Sequence, residues 1–115
     1  WVRPSLGQRS ITYLSPRRLH IILGMVGDKD IDVVLSLLPE EATHYFTQPA
    51  TSRAFPAQAL LAKWQNLHPA HTANQYFDDV AAALAAAQKE ASNEDIIFIG
   101  GSNYVVGEVL SHFPL

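Results

Sequence analysis

The chain has 115 residues, of which 48% are hydrophobic and 17% charged, with a formal net charge of −3 and no cysteine. That length supports one domain with a single core and not two. The charge balance gives no electrostatic grip on nucleic acid or an anionic membrane, the lack of cysteine excludes disulfides and thiolate chemistry, and no apolar run approaches the roughly 20 residues needed to span a bilayer.

A charged share of 17% lies below the usual value of about 25%. It fits either a compact, well-buried domain or an apolar surface that faces a neighbour. The opening WVRPSLGQRS has no apolar stretch of the secretory kind. A start at Trp1 rather than Met reads as a piece of something longer, and the absence of cysteine fits a cytoplasmic protein.

Taken in chain order, residues 5–14 read as a short helix with Ser5 as its N-cap, closed by Ser15-Pro16. Residues 19–23 are the first clear strand, an apolar run that ends in Gly24-Met25-Val26-Gly27. Asp28 or Asp30 then caps a helix through Leu38, with Ile31, Val34, Leu35 and Leu38 inward at i, i+3, i+4, i+7. Pro39 stops it. Residues 43–47 (THYFT) form a second strand, β-branched and aromatic in character, and residues 48–55 a loop.

Pro56 suits the first turn of the next helix, which places Leu60, Leu61 and Trp64 inward and ends at His68-Pro69. Residues 72–76 read as a short edge strand. Asp78 or Asp79 opens an alanine-rich helix through about Ala91, with Phe77, Val80, Ala81 and Leu84 as its stripe. Residues 96–99 are the third strong strand. Gly100-Gly101-Ser102 leads into a last helix with Val105, Val106, Val109, Leu110 and Phe113 inward. Strands alternating with helices imply an α/β fold, Rossmann-like, with a mostly parallel sheet and helices on both faces.

Right-handed crossovers put every strand-to-helix turn on one edge of such a sheet, where open parallel sheets bind their ligands. Three turns meet there: residues 24–30, 48–53 and 100–104. They bring together Asp28, Lys29, Asp30, Arg53, Ser102 and Asn103. Gly101 removes a side chain that would block a ligand's approach. Arg53 can hold a carboxylate through two parallel bonds, and Lys29 can act as a point charge. The plain readings stand beside these. Asp28, Asp30 and Ser102 are ordinary helix caps, Gly100-Gly101 a tight turn, and Arg53 and Lys29 solvated cations. His68 and His71 lack a third metal ligand nearby in sequence, and His20 reads as a packed or edge residue. There is no G-x-x-x-x-G-K-[ST] or G-x-G-x-x-G, and no catalytic motif.

Four stretches carry a resemblance: GMVGDKDIDVVLSLLP, THYFTQPATSRAFP, DDVAAALAAAQKEAS and DIIFIGGSNYVVGEVL. In that order and spacing the chain resembles the C-terminal domain of the folylpolyglutamate synthase/dihydrofolate synthase family, within the Mur ligase superfamily. The resemblance covers about residues 19–110. It implies an ATP-dependent ligase that joins glutamate to folate or dihydropteroate through an acyl phosphate. ATP and magnesium would be bound mainly by a preceding central domain, with none expected in this chain alone. The resemblance implies that Arg53 and Ser102 contact glutamate, and it places Lys29 in the family's D-K-D turn without fixing its role. The family usually carries D-x-x-H-N just before the first helix of this domain. Trp1-Val2-Arg3-Pro4 supplies no such motif, through either truncation or divergence.

The reading is therefore a single domain over 1–115, N-terminally truncated, that closes over substrates (glutamate, folate or dihydropteroate, and ATP) held with missing N-terminal and central domains. Ligase turnover is not expected from the chain alone. The alternatives are a stand-alone small-anion-binding module and an interaction domain without catalysis.

Overall fold

The structure, a computed structural model, describes residues 2–4, 18–27, 30–70 and 75–110, leaving aside the side chains of 2–4, 103 and 104. Its elements are β1 (Val2–Pro4), β2 (Leu19–Gly24), α1 (Ile31–Leu37), β3 (Thr43–Thr47), α2 (Ala57–Leu67), β4 (Gln75–Tyr76), α3 (Val80–Glu90), β5 (Ile96–Gly100) and α4 (Asn103–Leu110). The sheet order is β1-β5-β2-β3-β4. The four strands β5, β2, β3 and β4 run parallel, and β1 lies antiparallel against β5. The expected α/β architecture with a mostly parallel sheet is thus present. The strand at Val2–Pro4 was not anticipated, because three residues ending in proline carry no alternating pattern. The short helix read over residues 5–14 lies outside the described residues.

Side chains alternate across the sheet and divide the core in two. Ile21, Leu23 and Phe46 face α1 and α2, where Ile31, Leu35, Leu60 and Trp64 meet them. Ile22, Tyr45, Ile97 and Ile99 face α3 and α4, where Val80, Ala83, Leu84, Ala87, Val105 and Val109 meet them. Helices therefore cover both faces, as a sheet of apolar strands requires. One detail of the alanine-rich helix differs from expectation. Ala81 is exposed, and the inward stripe is Val80, Ala83, Leu84 and Ala87. Those positions follow i, i+3, i+4, i+7, whereas Ala81 sits about 100° off that line. Asp79 caps this helix, its Oδ1 accepting the Ala82 N–H at 2.7 Å. Pro56 takes the N-cap position of α2 rather than a place inside its first turn.

The strands are pinned at their amino ends by a buried polar group. His20 Nε2 lies 2.7 Å from Asp95 Oδ2, and His20 Nδ1 lies 2.8 Å from the Tyr45 hydroxyl. Ser92 donates to Asp95 from its hydroxyl (2.9 Å) and its backbone N–H (3.0 Å), and Arg18 donates a backbone N–H at 3.3 Å. A carboxylate only accepts, so His20 Nε2 carries the proton between them. Burial raises the Asp95 carboxyl, but the hydrogen bonds from His20 and Ser92 outweigh burial and bring it to about 2, from an ordinary 3.8. Burial, reinforced by the Glu90 carboxylate, pushes the Tyr45 hydroxyl upward. His20 is thus a packed residue, as its place in a strand implied.

Because Asp95 titrates lower in the folded chain, the unfolded chain binds its proton first as the pH falls. The stabilisation is complete above the ordinary value of 3.8 and is lost as the pH falls to about 2. Asp95→Asn is expected to lower the unfolding free energy by about 2 kcal/mol at pH 7, the worth of hydrogen bonds to a buried charge. It should also flatten the acid limb of stability. Urea titrations between pH 7 and pH 2 read both effects, and an unchanged acid limb would refute the assignment.

Candidate functional site

The chain order of the strands creates the site. From β2 the chain steps through α1 to β3 and through α2 to β4, moving one way across the sheet. The segment carrying α3 then returns it to β5, on the other side of β2. The carboxyl ends of β2 and β5 therefore flank the point where the winding reverses, where open α/β sheets leave a crevice. Both strands end there in glycine, Gly24 and Gly100, with Leu23 paired to Gly100.

The close approach at this point depends on Gly101. Its φ is +100°, and an added Cβ would stand 2.4 Å from the Gly24 carbonyl oxygen and 2.9 Å from a Leu23 methyl. Any side chain here would force β5 and its turn away from β2. Ser102 follows. Its Oγ accepts the Val105 N–H at 3.2 Å, so it caps α4, and its carbonyl accepts the Val106 N–H at 3.2 Å. A hydroxyl also carries one proton to donate, so capping leaves Ser102 able to hold an acceptor such as a carboxylate oxygen. Asn103 is the first residue of α4. Beside this turn opens a groove of about 510 Å³, apolar in character, with Leu23, Val34, Leu37, Phe98 and Val106 among its walls.

The other two turns are joined by their backbones. Val26 bridges Ala54 in antiparallel fashion, the Gly27 N–H donates to the Arg53 carbonyl at 2.8 Å, and the Phe55 N–H donates to the Met25 carbonyl at 2.9 Å. Arg53 is thereby fixed beside Gly27, with its side chain exposed. The turn is further held at its start, where Gln48 Oε1 accepts the Ala57 N–H at 2.8 Å, and in its middle, where Glu108 Oε2 accepts the Ala50 N–H at 2.8 Å. Asp30 stands at the N-cap of α1 with φ 65°, but its side chain makes no capping bond. Of the two caps expected, Asp28 or Asp30, Asp30 takes the N-cap position without a side-chain bond, and Asp28 lies outside the described residues. Aspartate tolerates this left-handed conformation better than most residues, and here it serves to turn the chain.

Of the expected residues, the described structure puts Arg53, Asp30, Gly101 and Ser102 on one edge. Asp28 and Lys29 lie outside the described residues, as does the side chain of Asn103. Sequence reasoning missed Gln48 and Glu108, which act on backbone amides and leave no motif. Of the two histidines weighed as metal ligands, His68 has Nδ1 3.2 Å from Glu40 Oε1, and His71 lies outside the described residues. Among the described residues no three His, Asp or Glu side chains are grouped to hold a metal, and no helix is long and apolar enough to cross a membrane.

Comparison with known proteins agrees with this fold. The family model described as "Mur ligase, glutamate ligase domain" matches residues 8–103. A probable bifunctional folylpolyglutamate synthase/dihydropteroate synthase of Haloferax volcanii is 32% identical over 90 residues, covering 78% of this chain and 10% of that protein. The structure of E. coli FolC in complex with DHPP and ADP superposes with a TM-score of 0.71 at 29% identity, covering 85% of this chain and 23% of that one. A bifunctional folylpolyglutamate synthase/dihydrofolate synthase with Mn, AMPPNP and L-glutamate bound superposes with a TM-score of 0.68 at 26% identity, covering 83% and 22%. The chain thus spans less than a quarter of the length of these three relatives.

Two glycines of the last turn and helix should respond in opposite directions to alanine. Gly101→Ala meets the Gly24 carbonyl at a positive φ and is expected to destabilise by at least about 2 kcal/mol. Gly107, exposed in α4 with nothing within 4 Å of an added Cβ, should gain roughly 0.5–1 kcal/mol as alanine. Thermal unfolding of both variants checks the contrast.

Proposed function

We propose a function from one premise: the chain belongs to the Mur ligase family of glutamate ligase domains. It is the C-terminal, substrate-closing domain of a cytoplasmic ATP-dependent ligase that adds L-glutamate to folate or dihydropteroate. The observation that carries this reading is the extent of the match. At 29% identity, the likeness to a folate ligase solved with DHPP and ADP takes in 85% of the chain.

In this reading the domain holds the incoming amino acid. Arg53 grips a glutamate carboxylate through two parallel N–H bonds. Ser102 donates its hydroxyl proton to a carboxylate oxygen while its oxygen keeps capping α4. Asp28, Lys29 and Asn103 complete the edge. The glutamate amine is thereby presented to the acyl phosphate formed elsewhere in the ligase, where phosphate leaves as the amide forms. Orientation of this kind raises rate by converting an encounter between two molecules into one within a complex.

Among the described residues no three His, Asp or Glu side chains are grouped to hold a metal, and the sequence carries neither usual phosphate-binding fingerprint. This reading assigns ATP and magnesium mainly to the domains outside this chain, and turnover to the intact ligase.

In the intact ligase, Arg53→Ala and Ser102→Ala are expected to raise the glutamate KM about tenfold or more, with the ATP KM changed less than about threefold. Steady-state kinetics with each substrate varied in turn makes the test. Equal effects on both KM values would remove the glutamate-holding role.

A further inference from the structure

The turn that carries Arg53 is an exposed loop, a poor support for a residue that must meet a carboxylate at a fixed place. Its two ends are tied to the body of the domain, by Gln48 to the Ala57 N–H and by the Arg53 carbonyl to Gly27. Its middle is tied by Glu108, whose Oε2 accepts the Ala50 N–H at 2.8 Å across 58 positions of sequence. A carboxylate accepting a backbone N–H is a charge-assisted bond, stronger than a neutral one.

Glu108 stands on α4, the helix that Ser102 caps. The two are six positions apart in sequence, about 9 Å along the helix axis. One rigid helix therefore bears Ser102 at its start and, further along, the group that holds the Arg53 turn. Besides this bond, the described hydrogen bonds that tie residues 48–53 to residues outside that turn are made by Gln48 to Ala57, by Thr51 to Ala54 and by Arg53 to Gly27.

We propose that Glu108 is a positioning residue: by clamping Ala50 it sets the turn of residues 48–53 against α4, and so sets Arg53 relative to Ser102. The functional half of this inference rests on the reading of Arg53 and Ser102 given above. Glu108 needs no contact with glutamate to act in this way.

The test uses Glu108→Ala and Glu108→Gln in the intact ligase, with Arg53→Ala as the control. The glutamine keeps a carbonyl oxygen that can accept the Ala50 N–H. Glu108→Ala is expected to raise the glutamate KM about tenfold, with kcat and the ATP KM within about twofold, and Glu108→Gln to recover most of that loss. Combined with Arg53→Ala, it should add little, because the two changes remove one effect. Amide hydrogen exchange across residues 48–53 reads the clamp without the reaction, and should quicken in Glu108→Ala and return toward normal in Glu108→Gln. Unchanged exchange in Glu108→Ala overturns the inference whatever the kinetics show. Quickened exchange, with a glutamate KM that moves in Arg53→Ala but not in Glu108→Ala, overturns the positioning role. Quickened exchange with a glutamate KM unmoved in both variants upholds the clamp and overturns the glutamate reading on which its function rests.

Discussion

The contact of Gly101 with the Gly24 carbonyl sets the geometry of the ligand edge. β2 and β5 are neighbours in space because the return through α3 lays β5 beside β2. Their carboxyl ends can close on each other only because the residue beyond β5 has no side chain to place there. Gly24 is under a similar constraint from the other side, where an added Cβ would stand 2.7 Å from a Val105 methyl and 3.1 Å from the Thr47 carbonyl. Three strands and the start of α4 thus meet at two glycines. The site of Ser102 follows from that packing, since Ser102 is the residue between Gly101 and the start of α4 at Asn103.

From α4 the order spreads sideways by hydrogen bonds rather than by apolar contact. Glu108 reaches the turn after β3, and the backbone of that turn reaches the turn after β2. Among the described residues each loop has one buried side chain, Met25 in the first and Pro49 in the second, and each is also held by a neighbour's hydrogen bonds. Arg53 and Ser102 come from turns that are far apart in sequence, and hydrogen bonds between backbone and side chain link those turns.

Much of this was legible in the residues. The three strong strands announced themselves as short apolar runs bounded by glycine, proline and polar turns, and the β3 bounds read from THYFT are those observed. The stripe of α3 was harder, since a helix built mostly of alanine gives little contrast between Ala81 outside and Ala83 inside. β1 was invisible because three residues cannot show alternation, and its place is fixed by pairing with β5. At the carboxyl edge of the sheet, the turns that carry Arg53, Gly101 and Ser102 were legible from the glycines that end β2 and β5 and from the loop after THYFT. The Val26–Ala54 bridge and the Glu108 clamp were not, because bonds to backbone amides between distant loops ask nothing distinctive of the sequence.

Among the described residues, the groups whose titration is moved most lie away from that edge. Perturbed carboxylates and hydroxyls often mark catalytic sites, and Asp95 and Tyr45 are both perturbed. Yet Asp95 immediately precedes β5 and hydrogen-bonds His20 near the start of β2, whereas Gly24 and Gly100 close the same strands. Four residues of strand, roughly 13 Å, lie between the two ends. At its centre Asp95 accepts from His20, Ser92 and Arg18, and the side chains of His20, Tyr45 and Asp95 are buried. Its effect is to lock the register of β2 against β3 and β5, which fixes where their far ends fall. The carboxyl edge of the sheet is thus positioned by a buried group at its opposite end.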